Sequence, residues 1–81
     1  MKPSKLTPNE VKAELLRRGF TLSKWGRKAG FSARNVSRAV AYWTGRTDSN
    51  PTGEKTRLIL IGISKEVGFA IHPIAEPAHL H

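Results

Sequence analysis

The sequence predicts an all-α fold, a compact bundle of about four short helices followed by an extended or disordered C-terminal tail. Three observations carry this expectation. Apolar residues recur at three- and four-residue spacing in successive segments. Segments open on hydroxyl residues suited to capping (Thr7, Thr21, Ser32) and close on glycines (Gly19, Gly30, Gly68) suited to left-handed stops. The chain has 81 residues and no cysteine, so it forms one small domain without disulfides, and a reducing compartment fits it. A chain of this size buries only about 60% of its unfolded surface, which leaves a small core.

The first helix is expected over about residues 8–18. "TPNE" supplies a capping threonine, a proline at the first helical position and Glu10 to complete a capping box. Val11, Leu15 and Leu16 follow at helical spacing, and Arg17 and Arg18 suit the negative end of the helix dipole. Thr21 caps a second helix of about two turns, with Leu22, Trp25 and Ala29 on its apolar face. Such a short helix is stable only through packing, here through Trp25. Ser32 caps the third helix, where Val36, Ala39, Val40 and Trp43 form a complete apolar stripe. "TGRTDSNPTG", Thr44 to Gly53, reads as a loop. In "EKTRLILIGISKEVG", Ile59, Ile61 and Ile63 lean towards a strand. Length, the acidic start at Glu54 and the closing Gly68 favour a helix over about residues 54–67. The expected organisation is therefore a flexible start over 1–6, a domain over 7–68 and a tail over 69–81, with Phe69 and Ile71 as candidates to dock.

Charge is distributed unevenly. Fourteen Lys and Arg oppose six Asp and Glu, for a net +8. Residues 1–46 hold eleven of the cations against Glu10 and Glu14, which leaves +9, whereas residues 47–81 carry three against four, or −1. A basic half in a small cysteine-free chain points to a polyanionic partner, most often nucleic acid. The start lacks the apolar stretch of a signal peptide, and "LILIGI" is too short to span a bilayer. A cytoplasmic, nucleoid-associated protein is the expectation.

The second helix, the turn at Gly30 and the third helix form one unit. Gly26 is small enough for two helices to cross closely, Gly30 suits a tight turn, Phe31 lies inward after it and Ser32 caps the third helix. These positions in one frame make a helix-turn-helix pattern. The outer face of the third helix carries Arg34, Asn35, Ser37, Arg38 and Tyr42, and no acid. A helix of 11 residues is about 16 Å long, and the DNA major groove is about 12 Å wide. Arg34 and Arg38, one turn apart, suit guanine O6 and N7, Asn35 suits adenine N6 and N7, and Ser37 completes the set of base-contacting candidates. Thr21, Lys24, Arg27, Lys28, Ser32 and Arg46 are the phosphate candidates. Tyr42 either meets a phosphate or covers the core. The partner this implies is double-stranded DNA.

The run "LTPNEVKAELLRRGFTLSKWGRKAGFSARNVSRAV", Leu6 to Val40, resembles the small helix-turn-helix proteins of Mu-like phages and prophages. These are the Ner-like regulators and, more closely, the related family associated with a Burkholderia Mu-like phage. The shared features are the "LTPxxVKAEL" opening, the "RRGF" turn, the helix bearing Trp25 and "GFS" before the recognition helix. "GEKTRLILIGISKEVG" is similar to that family's closing helix, so the resemblance spans about residues 6–68. It implies an all-helical DNA-binding domain acting as a repressor-like regulator of transcription in a phage or prophage region. Gly26 stands where the family pattern has alanine, and the loop from Thr44 to Gly53 is long for it.

Other classes are less well served by the sequence. No nucleophile, base and acid can be assembled from six acids and three histidines, so no enzyme is expected, nor a cofactor or small-molecule ligand. His79 and His81 are a poor basis for a metal site, and His72 receives no role. Helix one lacks the aromatic and cationic amphipathicity of a membrane-surface helix. Trp25 and Trp43 read as core residues rather than base-stacking platforms. The rival readings are a protein-interaction adaptor whose basic face meets an acidic protein, and a DNA-packaging or recombination accessory. Residues 58–63 either complete the core or bury the interface of a homodimer on DNA.

Overall fold

Each of the first three helices begins at a hydroxyl side chain, as its sequence requires. In the computed structural model, which describes residues 6–75, α1 spans Pro8–Arg17. Thr7 Oγ1 accepts from the Glu10 amide at 3.3 Å, and Glu10 Oε1 accepts from the Thr7 amide at 2.8 Å, closing the capping box. Helix α2 spans Leu22–Ala29 and α3 spans Ala33–Trp43. Thr21 Oγ1 accepts from the Lys24 amide at 3.0 Å, and Ser32 Oγ accepts from the Asn35 amide at 3.2 Å. Each bond satisfies one of the N–H groups that a helix start leaves free.

The first two helices end by one device used twice. Gly19 and Gly30 adopt φ of 85° and 90°, a region that residues with a Cβ rarely enter. The next residue, a phenylalanine in both cases, returns its amide to the carbonyl five residues earlier, Phe20 to Leu15 at 2.9 Å and Phe31 to Gly26 at 2.7 Å. Both rings then pack against the core. This is the Schellman arrangement with its apolar contact.

Residues 54–67, where strand-leaning isoleucines compete with helical length and end signals, form α4, Glu54–Val67. The three isoleucines divide on the helix: Ile59 and Ile63 are buried, and Ile61 is half-buried. Arg18 donates from Nη2 to the Val67 carbonyl at 3.0 Å. Its charge thus serves the carbonyl end of α4 as well as its own helix. Among the described residues the structure is all-helical, with four α-helices and a 3-10 turn at Pro73–Ala75.

The core is built from one stripe of each helix: Val11 and Leu15, Trp25, Val36 with Ala39 and Val40, and Ile59, Leu60, Ile63 and Val67. Three expected core positions differ. Ala29 is exposed, because Gly26 rather than the last residue of α2 makes the contact with α3. Leu16 is exposed as well, and Trp43 is only half-buried. Leu6, expected in the flexible start, packs against the core instead. The remainder of that start, residues 1–5, and residues 76–81, which include His79 and His81, lie outside the described residues.

The segment after α4 folds back onto the body. Ile71 is buried, whereas Phe69, its expected companion, is exposed. The Ile71 amide donates to Ser64 Oγ at 3.0 Å, the Ser64 hydroxyl donates to the Leu60 carbonyl at 2.7 Å, and the Ile71 carbonyl accepts from Gly45 at 3.0 Å. His72 is also buried. Its Nδ1 accepts from the Ile74 amide at 3.1 Å, so Nε2 carries the proton and donates to the Ser49 carbonyl at 3.0 Å. The histidine without a role in the sequence therefore ties the 44–53 loop to the C-terminal segment.

Two close packings set the helix arrangement. A Cβ at Gly26 would lie 2.9 Å from Val36 Cγ2 and 3.1 Å from the Phe31 carbonyl oxygen. A Cβ at Gly62 would lie 2.8 Å from Trp25 Cζ2. Alanine at position 62 gains about 1 kcal/mol of helix propensity, but overpacking costs about 1–3 kcal/mol. Gly62→Ala is expected to lower the melting temperature, and Trp25→Phe in the same chain to recover part of that loss. A double-mutant cycle by thermal denaturation measures the coupling, and additive single effects would show that the two residues do not press on one another. Thr44 Oγ1 is buried without a hydrogen-bond partner among the described residues. Thr44→Val keeps the shape and removes this unsatisfied group, so it is expected to stabilise the fold by about 1 kcal/mol; a lower melting temperature would contradict that.

Candidate nucleic-acid interface

Helix α3 owes its two-sidedness to its spacing. Val36, Ala39 and Val40 are buried. At 100° per residue, Arg34 and Arg38 fall opposite them, with Asn35 and Tyr42 on one flank and Ser37 on the other. All five of these side chains belong to exposed residues. Neither Arg34 nor Arg38 makes an ion pair or a hydrogen bond from its side chain among the described residues. The four base-contacting candidates thus stand together on the outward side of one short helix. A turn of three residues, Gly30 to Ser32, connects it to α2.

The phosphate candidates fall into three groups. Thr21 and Ser32 are occupied as helix caps, and their hydroxyls already accept backbone amides. Lys24 and Arg27 are exposed on α2 and form no ion pair among the described residues. Lys28 and Arg46 are engaged within the molecule. Lys28 lies 3.5 Å from Glu66 of α4 and sits over the Phe20 ring, with 4.7 Å to the centroid. Arg46 donates from Nε to the Tyr42 carbonyl at 3.2 Å, pairs with Asp48 at 3.6 Å and stacks on the Tyr42 ring at 4.3 Å. Both ion pairs are solvent-accessible and weak, on the order of 0–1 kcal/mol, so they direct the side chains more than they stabilise the fold.

Tyr42 does not cover the core. It is 57% exposed and packs edge-on against Trp43 at 4.8 Å. Trp43 in turn meets the His72 ring edge-on at 5.6 Å. A cation–aromatic pair, Arg46 on Tyr42, therefore finishes the C-terminal end of α3 and rests on the residues that anchor the loop.

Beside α3 runs an open groove of about 700 Å³. Asn35, Arg38 and Tyr42 line it from α3, and Lys55, Thr56 and Ile59 from α4. Lys55 and Thr56 are not among the residues that the sequence singles out. Their only local signal is a position in the first turn of a helix whose placement depends on a ten-residue loop, so nothing nearby in the chain connects them with Arg38.

Among the described residues no three His, Cys, Asp or Glu side chains are grouped to hold a metal ion, and no helix is long and apolar enough to cross a membrane. The chain matches no protein-family model, and neither curated proteins nor solved structures yield a match.

Proposed function

We propose that this protein binds double-stranded DNA sequence-specifically, with α3 in the major groove and α1, α2 and α4 holding it in place. One observation carries the reading: Arg34 and Arg38 project from the side of α3 opposite its buried stripe, and no acid of the described residues engages them. A cationic, hydrogen-bonding helix face held on a packed body is what base-edge readout requires. Lys24 and Arg27 flank it as phosphate contacts, and the net charge of +8 adds attraction that does not depend on sequence. The resemblance to Mu-like phage regulators supplies the biological setting, repressor-like control of transcription in a phage or prophage region. Binding as a homodimer to a two-fold operator, and residence on the nucleoid, belong to the same proposal.

Selection of bound sequences from a random duplex pool, followed by fluorescence anisotropy over a salt series, tests it. Arg34→Ala and Arg38→Ala are each expected to reduce preference for the selected site by about 1–3 kcal/mol. Lys24→Ala and Arg27→Ala are expected to weaken all sequences alike and to lower the salt slope by about 0.9 per lost phosphate contact. Lys28→Ala, tied to Glu66, is expected to do less than either. The docking of α3 is wrong if both arginine variants keep full affinity and full sequence preference.

A further inference from the structure

We infer that the groove between α3 and the first turn of α4 holds one phosphodiester strand of the bound duplex, with Lys55 as its contact from α4. The inference rests on the DNA-binding reading and adds to it a second element and a defined path for the backbone. A helix with its side chains is about 10–12 Å across, close to the roughly 12 Å width of the major groove. With α3 in that groove, the bordering strands must pass along its flanks. On the flank of Asn35 and Tyr42, the open groove of about 700 Å³ lies in that path.

Its lining suits a polyanion. Arg38 and Lys55 stand on opposite sides, and neither is in an ion pair among the described residues. Asn35, Thr56 and Tyr42 add hydrogen-bonding groups. No carboxylate of the described residues lines the groove, and Glu54, although adjacent to Lys55 in the chain, is not part of the wall. Arg38 belongs both to the outward face of α3 and to the groove, so a duplex lying on that face continues into it. Ala41 and Trp43 add apolar lining above the buried Ala39 and Ile59, a surface for sugars that gives phosphates no partner. Anionic groups are therefore directed to the cationic rims.

The full-length protein and its Lys55→Gln, Lys55→Arg and Lys65→Gln variants are titrated with the selected duplex and with a random-sequence duplex over a salt series. Lys65 is exposed at the far end of α4 and serves as the control. Lys55→Gln is expected to lower the slope of log affinity against log salt by about 0.9 on both duplexes and to leave the ratio between them unchanged. Lys55→Arg should restore the slope, and Lys65→Gln should match the unaltered protein. An unchanged slope in Lys55→Gln, with sequence preference still lost in Arg34→Ala, overturns the strand path and leaves the reading of α3 intact. A changed ratio between the duplexes also overturns it, because Lys55 would then be sensing bases. Failure of the unaltered protein to bind either duplex, with capture of an acidic peptide instead, overturns both.

Discussion

The arrangement depends on the seating of one indole. Trp25 is 4% exposed and stacks nearly parallel on Phe31, with ring centroids 6.1 Å apart. Its far edge lies on the bare backbone of α4 at Gly62. Helix α2 has only eight residues and could not persist alone. Trp25 fixes it to α4, Phe31 fixes the turn, and the close approach at Gly26 fixes α3 against α2. The direction in which α3 points its polar side is thus set by residues that are not on that side. A smaller aromatic at position 25 or a larger residue at position 62 would alter that direction before it altered any outward residue.

The acids of the described residues are placed so that none of them pairs with Arg34 or Arg38 of α3. Glu10 closes the capping box of α1, and Glu14 pairs with Arg17 and Arg18. Glu66 holds Lys28, and Asp48 holds Arg46. Each of these carboxylates is matched to a cation or an amide of the body rather than of the outward face of α3. Arg34, Arg38, Lys24, Arg27 and Lys55 remain on the surface without such matches among the described residues. Net charge alone would not give this result, since +8 spread evenly would steer a polyanion to no particular face.

Much of the fold was legible because its signals are local. Caps at Thr7, Thr21 and Ser32, stops at Gly19, Gly30 and Gly68, and the stripe of Val36, Ala39 and Val40 are readable within a few residues of chain, and each is where the pattern puts it. The outward face of α3 was legible for the same reason. What escaped depends on contacts between distant segments. Ala29 has an apolar spacing but lies at a helix end where its neighbour Gly26 takes the contact. Lys28 and Arg46 look like free cations until Glu66 and Asp48 are placed beside them. His72 carries no motif, and its work becomes visible only when Ser49 and Trp43 arrive from elsewhere. Lys55 and Thr56 share a groove with Arg38 only because a ten-residue loop turns α4 back alongside α3.

That loop is fastened from its far side. Gly45 donates to the Ile71 carbonyl, and the His72 ring donates to the Ser49 carbonyl, so the link between α3 and α4 is clasped by residues that come after α4. Ribosomes deliver a chain from its N-terminus at about 5–20 residues per second. The caps of α1 to α3 and the Gly26 crossing lie within the first 44 residues, while the clasp has no counterpart until position 72 has emerged. The link between α3 and α4 can therefore be fastened only after the residues that clasp it have been made, later than both helices it joins.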